Sequence, residues 1–134
     1  MIKIVEYKDF RLDEIVRLYQ SVGWTNYLAR TELLKEAYEN SLCVLAAYDG
    51  ETLVGILRAV GDGLTIVFIQ DILVLPDHQR RGLGTALIKT VMEKYKTVYQ
   101  MELLTDNTEK TRAFYRSAGF TAAEEIDCRA FIKM

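Results

Sequence analysis

The chain has 134 residues, half of them hydrophobic and 27% charged, which suits one globular domain with a real core. A formal net charge of -2 excludes a dedicated polyanion binder or a polybasic membrane protein. One histidine, His78, and two cysteines, Cys43 and Cys128, cannot build a His-rich or four-cysteine zinc site or a disulfide framework. No metal is therefore expected, and any triad chemistry would have to run through His78.

Met1 to Asp9 carries charges where a signal peptide needs an apolar run. No stretch approaches the roughly 20 apolar residues of a membrane span. The expectation is a cytoplasmic protein with reduced cysteines and no membrane or nucleic-acid partner.

Ile2–Tyr7 alternates β-branched and polar residues and reads as a strand. Leu12, Ile15, Val16 and Tyr19 share one helical face, with Asp9 as a candidate cap and Gly23 beyond the end. Thr31 opens a second helix that turns Leu33, Leu34, Ala37 and Tyr38 inward. Leu42–Tyr48 and Leu53–Val60 read as strands joined through Asp49-Gly50, a hairpin signal. Gly61-Asp62-Gly63 turns the chain into a third run, Leu64–Leu75. Cys43 and Cys128 fall within expected strands and read as small core residues.

After Pro76 the period lengthens, and a helix from near Gly84 carries Leu87, Ile88, Val91, Met92 and Tyr95 inward. Val98–Leu104 reads as a strand, and Thr111, Phe114, Tyr115 and Ala118 mark a last helix with Gly119 at its C-cap. Phe120–Glu125 and Cys128–Met134 read as two closing strands. The order β-α-α-β-β-β-α-β-α-β-β predicts an α/β fold, a mixed sheet with helices packed on it, in a single domain spanning 1–134.

The most informative segment is Gln79-Arg80-Arg81-Gly82-Leu83-Gly84, between a long strand and an amphipathic helix. Its glycines let backbone approach a ligand closely. The first helical N–H groups lack internal partners, and the helix dipole adds positive character. With Arg80 and Arg81 at the rim, a phosphate or pyrophosphate is the expected guest. The alternative is a glycine-eased turn with a solvated arginine pair. The phosphate-loop pattern G-x-x-x-x-G-K-[ST] is absent. Gly82-Leu83-Gly84-Thr85-Ala86-Leu87 lacks the third glycine of a dinucleotide fingerprint.

The run Q-x-x-G-x-G, following Val74-Leu75-Pro76 in this element order, resembles motif A of the GNAT superfamily of acyl-CoA-dependent N-acetyltransferases. Asn107 through Phe120 resembles a second family stretch, N…A-x-x-F-Y-x-x-x-G-F, although here Ala113 directly precedes Phe114. The resemblance implies a sheet whose fourth and fifth strands splay apart, with acetyl-CoA as cosubstrate between them. Backbone N–H groups from Gln79 through Arg80, Arg81, Gly82 and Leu83 to Gly84 would hold the pyrophosphate, with Thr85 adding its hydroxyl. Main-chain groups of Leu73, Val74 and Leu75 would pair with the pantetheine arm, and Asn107 and Tyr115 would also contact the cofactor. Small members of the family often dimerise, so a homodimer is among the arrangements it allows.

The activity implied is direct attack of a primary amine on the thioester in a ternary complex. Tyr115 would be the general acid to the departing thiolate; its bland reading is a core aromatic beside Phe114. Asp71 is the candidate base, or else a buried carboxylate bracing a loop, and alternation is expected to send Gln70 and Asp71 to opposite faces. Trp24 and Tyr27, in the loop between the first two helices, are candidate acceptor contacts with Gln70; Trp24 could equally plug the core. His78 is expected to be exposed in its turn. The rival readings are a non-catalytic CoA-binding module and a transferase for another acyl-CoA. The acceptor itself is legible only as a small-molecule or peptide amine.

Overall fold

A computed structural model describes residues 1–134 and divides the chain into two compact units, Met1–Leu103 and Leu104–Met134. The first unit holds a five-stranded sheet in sequential order: β1 (Ile2–Glu6), β2 (Cys43–Asp49), β3 (Thr52–Gly61), β4 (Ile66–Val74) and β5 (Gln100–Leu103). The first four strands pair antiparallel and β4 pairs β5 in parallel, so the expected mixed sheet forms.

Central strands β2 and β3 are almost continuously apolar because both of their faces are covered. Helices α1 (Leu12–Ser21) and α2 (Glu32–Glu39) lay Ile15, Leu18, Tyr19, Leu34 and Tyr38 against Val44, Ala46 and Ile56. Ala47, the next residue along β2, faces the other way. It lies beside Gly55 and Leu87 of α3 (Leu83–Lys94), which buries Leu83, Leu87, Ile88 and Val91. At the β3–β4 turn a Cβ on Gly61 would stand 2.4 Å from the Ile66 carbonyl, so the tight return needs glycine.

Two departures from regular pairing shape this sheet. First, β5 pairs with β4 only between Ile66–Ile69 and Gln100–Leu103. Gln70 through Val74 has no strand on that side, which is the expected splay. Second, Arg58 opposes Asp71 while Ala59 opposes Ile69, so Gln70 is an extra residue in β4. This bulge redirects the side chains around it.

The second unit contains α4 (Glu109–Ser117), whose start is capped by Thr108 Oγ1 accepting the Thr111 N–H at 3.2 Å. Gly119, at φ 102, follows the C-cap residue Ala118 rather than being the cap. The two closing strands expected at 120–125 and 128–134 do not form. Ala123–Ile126 is a short 3-10 turn, and Asp127 at φ 63 ends it in the left-handed region, so the extended course is broken there. A strand also needs a hydrogen-bonded neighbour, and this segment finds none in its own unit. Cys128 is consequently exposed, while Cys43 is buried in β2 as expected.

Helix α1 also differs at its start. Its N-cap is Arg11, without a side-chain cap, and the Arg11 N–H donates to the Tyr7 hydroxyl at 3.0 Å instead of Asp9 capping the helix.

Candidate functional site

The loop between β4 and α3 begins with a 3-10 turn at Pro76–His78. Gln79 then reaches back, its Nε2 donating to the Val74 carbonyl at 3.0 Å, which ties the loop to the end of β4. Arg80 at φ 66 and Gly82 at φ 77 both take the left-handed conformation, on either side of Arg81. For a non-glycine residue such as Arg80 this costs of order 1–3 kcal/mol, held in place by the surrounding fold. A Cβ on Gly82 would meet nothing within 4 Å, so its backbone faces open space.

Helix α3 has no side-chain cap, and its first internal bond runs from the Ala86 N–H to the Gly82 carbonyl at 2.9 Å. The N–H groups of Leu83, Gly84 and Thr85 precede that bond and keep their donors for a ligand. Arg80 and Arg81 are exposed beside them. The result is an open backbone site with helix-dipole and full positive charge, suited to an anion.

Leu73 and Val74, just upstream, are buried, and the Leu75 N–H donates to the Val54 carbonyl at 2.8 Å. The stretch of β4 from Gln70 to Val74 presents a strand-free edge. Extended ligands with amide groups can add to such an edge.

His78 departs from expectation. It is half-buried rather than exposed, with Nε2 3.0 Å from Asp49 Oδ2 and Nδ1 buried without a partner. Bonding to the imidazole lowers the Asp49 pKa. The pair fastens the turn before the glycine loop to the β2–β3 hairpin.

A second group lies on the α1–α2 side of the sheet. Tyr19 stacks on Trp24 with ring centroids 6.0 Å apart and contacts Tyr27 at 5.3 Å. Gln70 Nε2 lies 3.4 Å from the Tyr27 hydroxyl, and the Tyr19 hydroxyl donates to Asp71 Oδ2 at 3.1 Å. Gln70 and Asp71 therefore reach the same aromatic cluster and do not point to opposite faces; the bulge at Gln70 cancels the alternation. Trp24 and Tyr27 are half-buried and pack against the core cluster.

Asp71 is 2% exposed and accepts from Arg58 Nε at 2.7 Å. Arg58 also donates to Ser41 Oγ at 3.2 Å and lies 5.4 Å from the Tyr38 ring centre. The Tyr38 and Tyr19 hydroxyls are 2.8 Å apart. Burial and neighbouring charge raise the pKa of both phenols, keeping them neutral. Burial opposes the charge on Arg58, and Asp71 more than restores it. Both bonds to Asp71 fall on Oδ2, and the carboxylate is almost wholly buried. Both readings of Asp71, candidate base and buried structural carboxylate, start from this pairing with Arg58 and Tyr19. Sequence reasoning missed Tyr19, Tyr38 and Arg58 as its partners. The available signal was Arg58, a lone cation in the apolar run Leu53–Val60, facing a lone anion one strand away.

Asn107 and Tyr115 belong to the second unit. Asn107 Oδ1 accepts from Arg112 on the first turn of α4. Tyr115 packs edge-on against Phe114 at 5.0 Å and Phe120 at 5.9 Å, which fixes its ring. Burial, and secondarily the Asp106 carboxylate, raises its pKa, so the phenol is protonated at neutral pH.

Residues 10–120 match the model of the acetyltransferase (GNAT) family. An uncharacterised N-acetyltransferase ycf52-like of Prochlorococcus marinus is 32% identical over 116 residues; the match covers 82% of this chain and 62% of that protein, so the chain spans less than two thirds of that relative's length. A GNAT-family acetyltransferase of Streptococcus pneumoniae TIGR4 superposes with TM-score 0.91 at 42% identity, covering 100% of this chain and 98% of the other. A Staphylococcus aureus protein of unknown function superposes with TM-score 0.82 at 25% identity, each chain covered in full at 100%.

Proposed function

The chain belongs to the acetyltransferase (GNAT) family, and on that premise we propose that it transfers the acetyl group of acetyl-CoA to a primary amine in the cytoplasm. The observation that carries this reading is the anion cradle of Gly82 and the free N–H groups of Leu83, Gly84 and Thr85, set at the end of the strand-free β4 edge. The cradle fits a pyrophosphate and the edge fits an amide-bearing arm, the two parts a CoA thioester presents in series. Acetyl-CoA supplies the activated acetyl group, so this chain's residues need only bind, orient and manage protons.

In this reading Gln79 through Gly84 hold the diphosphate, with Thr85 at the helix start, and Leu73, Val74 and Leu75 align the arm as an added strand. Trp24, Tyr27 and Gln70 line the approach of the amine, which must be neutral to attack although its ordinary pKa is about 10.4. Asp71 is not placed as the proton acceptor; it holds Tyr19 and the bulge, and the amine's proton leaves through water. The family resemblance assigns Asn107 to the cofactor and assigns Tyr115 the role of donating its hydroxyl hydrogen to the departing sulfur. A raised phenol pKa against a thiol of about 8.5 makes full proton transfer uphill, so hydrogen bonding and replenishment from solvent share that task.

Isothermal titration with acetyl-CoA, followed by thiol release across a panel of amines, tests the reading. Binding and amine-dependent thiol release are expected. No binding of acetyl-CoA would defeat it, and binding without turnover on any amine would favour a CoA-binding module instead.

A further inference from the structure

The ties that hold the β4–α3 loop differ in reach. The Gln79 side chain bonds the Val74 carbonyl five residues back, a tie local to the end of β4. The His78 N–H to the Leu75 carbonyl at 2.9 Å and the Gln79 N–H to the Pro76 carbonyl at 3.3 Å are equally local. His78 supplies a long-range tie. Its Nε2 lies 3.0 Å from Asp49 Oδ2, 29 residues away, where β2 pairs with Thr52 of β3 and with Ile2 of β1. The anchor is therefore the sheet itself.

The imidazole serves that bond better than it serves packing. Its side chain is 17% exposed, and Nδ1 is buried with no partner. An apolar ring would fill the same space without an orphaned polar atom, which is destabilising when buried. A carboxylate only accepts, so Nε2 carries the hydrogen.

Two residues beyond His78 the backbone turns left-handed, at Arg80 with φ 66 and again at Gly82 with φ 77. A strained residue such as Arg80 persists only where its surroundings fix it from both sides. Helix α3 fixes the downstream side, through the Ala86 N–H to the Gly82 carbonyl at 2.9 Å. His78 fixes the upstream side. We propose that His78 is a positioning residue for the glycine loop: its bond to Asp49 holds the backbone from Arg80 to Gly82 in the ligand-ready form and so sets the affinity for the CoA diphosphate. The affinity half of this inference rests on the acetyl-CoA reading; the ordering of the free loop does not. A loop that is ready only about a tenth of the time binds about 10-fold more weakly, with nothing changed at the thioester.

Substitutions that mimic one ring nitrogen at a time test it. The Gln amide nitrogen falls where Nε2 lies and the Asn amide nitrogen where Nδ1 lies, so His78→Gln keeps the donor to Asp49 and His78→Asn loses it. Titration calorimetry should show acetyl-CoA affinity about 10-fold lower in His78→Asn and in Asp49→Ala, no lower in the two combined, and restored in His78→Gln. In thiol-release assays the KM for acetyl-CoA should rise, with kcat and the KM for the amine unchanged. In the free protein, hydrogen exchange at the Gln79 and Ala86 amides should quicken in His78→Asn while β2 and β3 keep their protection. Protection lost throughout the sheet, in His78→Asn and His78→Gln alike, would reduce His78 to general packing and overturn the proposal. Unchanged affinity and loop exchange in a His78→Asn protein that binds acetyl-CoA would overturn it alone. Wild-type protein that binds no acetyl-CoA would defeat the acetyl-CoA reading and the affinity claim together, and the exchange measurement would still decide whether His78 orders the loop.

Discussion

The glycine loop and the Arg58–Asp71 pair are both charged features beside β4, yet they are finished in opposite ways. In the loop the donors of Leu83, Gly84 and Thr85 are unspent, Gly82 opens onto space, and Arg80 and Arg81 stand in solvent. In the pair the charges are buried and bonded to one another: Asp71 Oδ2 accepts from Arg58 and Tyr19, Arg58 also donates to Ser41, and the Tyr19 and Tyr38 hydroxyls share a bond. Unspent backbone donors mark where the molecule meets a ligand. A buried side-chain network marks where it must keep its own shape, in this case beside the bulge at Gln70, whose Nε2 lies 3.4 Å from the Tyr27 hydroxyl.

The largest expected effect breaks the buried side of this contrast. Asp71→Ala leaves Arg58 charged and buried without its partner, which should cost about 3–5 kcal/mol of stability. Replacing both, as Arg58→Met with Asp71→Leu, removes the charges together and should cost far less. Urea unfolding of the two variants measures the difference, and equal losses would mean that the pair is not acting as a unit.

Gly82→Val acts on the open side. The left-handed backbone should cost a β-branched residue roughly 1–2 kcal/mol of stability, with no clash in the free protein. Its isopropyl group fills the space the cradle leaves for an anion, so acetyl-CoA affinity should fall by about 100-fold, or roughly 2.7 kcal/mol. Titration calorimetry beside urea unfolding separates the two losses. A stable variant with full affinity would remove the glycine loop from the proposed site.

Tyr115→Phe keeps the ring that packs on Phe114 and Phe120 and removes only the hydroxyl. Turnover should drop near the low end of acid catalysis, about 100-fold, with acetyl-CoA affinity little changed. The raised pKa fixes the sign of the pH dependence. The phenol remains protonated past its ordinary value near 10, so wild-type turnover should climb as the amine deprotonates and show no alkaline fall below about pH 10. A fall near neutrality would point to some other acid.

The contrast also divides what was legible in the sequence from what was not. The loop was readable because its signals are local: two glycines, a preceding proline and a change of period fall within a few residues. The bulge was not, because an extra residue in β4 exists only relative to β3, and register is a property of two strands. Asp71 and Arg58 were visible as lone charges in apolar runs, but their pairing required that same register. The strand at 128–134 failed for a related reason: its residues favour extension, while pairing depends on a neighbour that its own unit does not supply. His78 was misjudged because the turn carrying it folds onto Asp49, 29 residues away.

The smallest effect tests how much of the open site is charge and how much is backbone. Arg80 and Arg81 are solvent-exposed, so each should contribute through a screened field, about 2- to 5-fold in acetyl-CoA affinity on substitution by alanine. Their joint loss should flatten the salt dependence of binding, since screening over about 8–10 Å acts on those charges and hardly on the short N–H contacts of Leu83 to Thr85. Titrations from low to high salt on the double-alanine variant measure this. A collapse as deep as that of Gly82→Val would mean that the arginines, and not the unspent backbone donors, carry the anion.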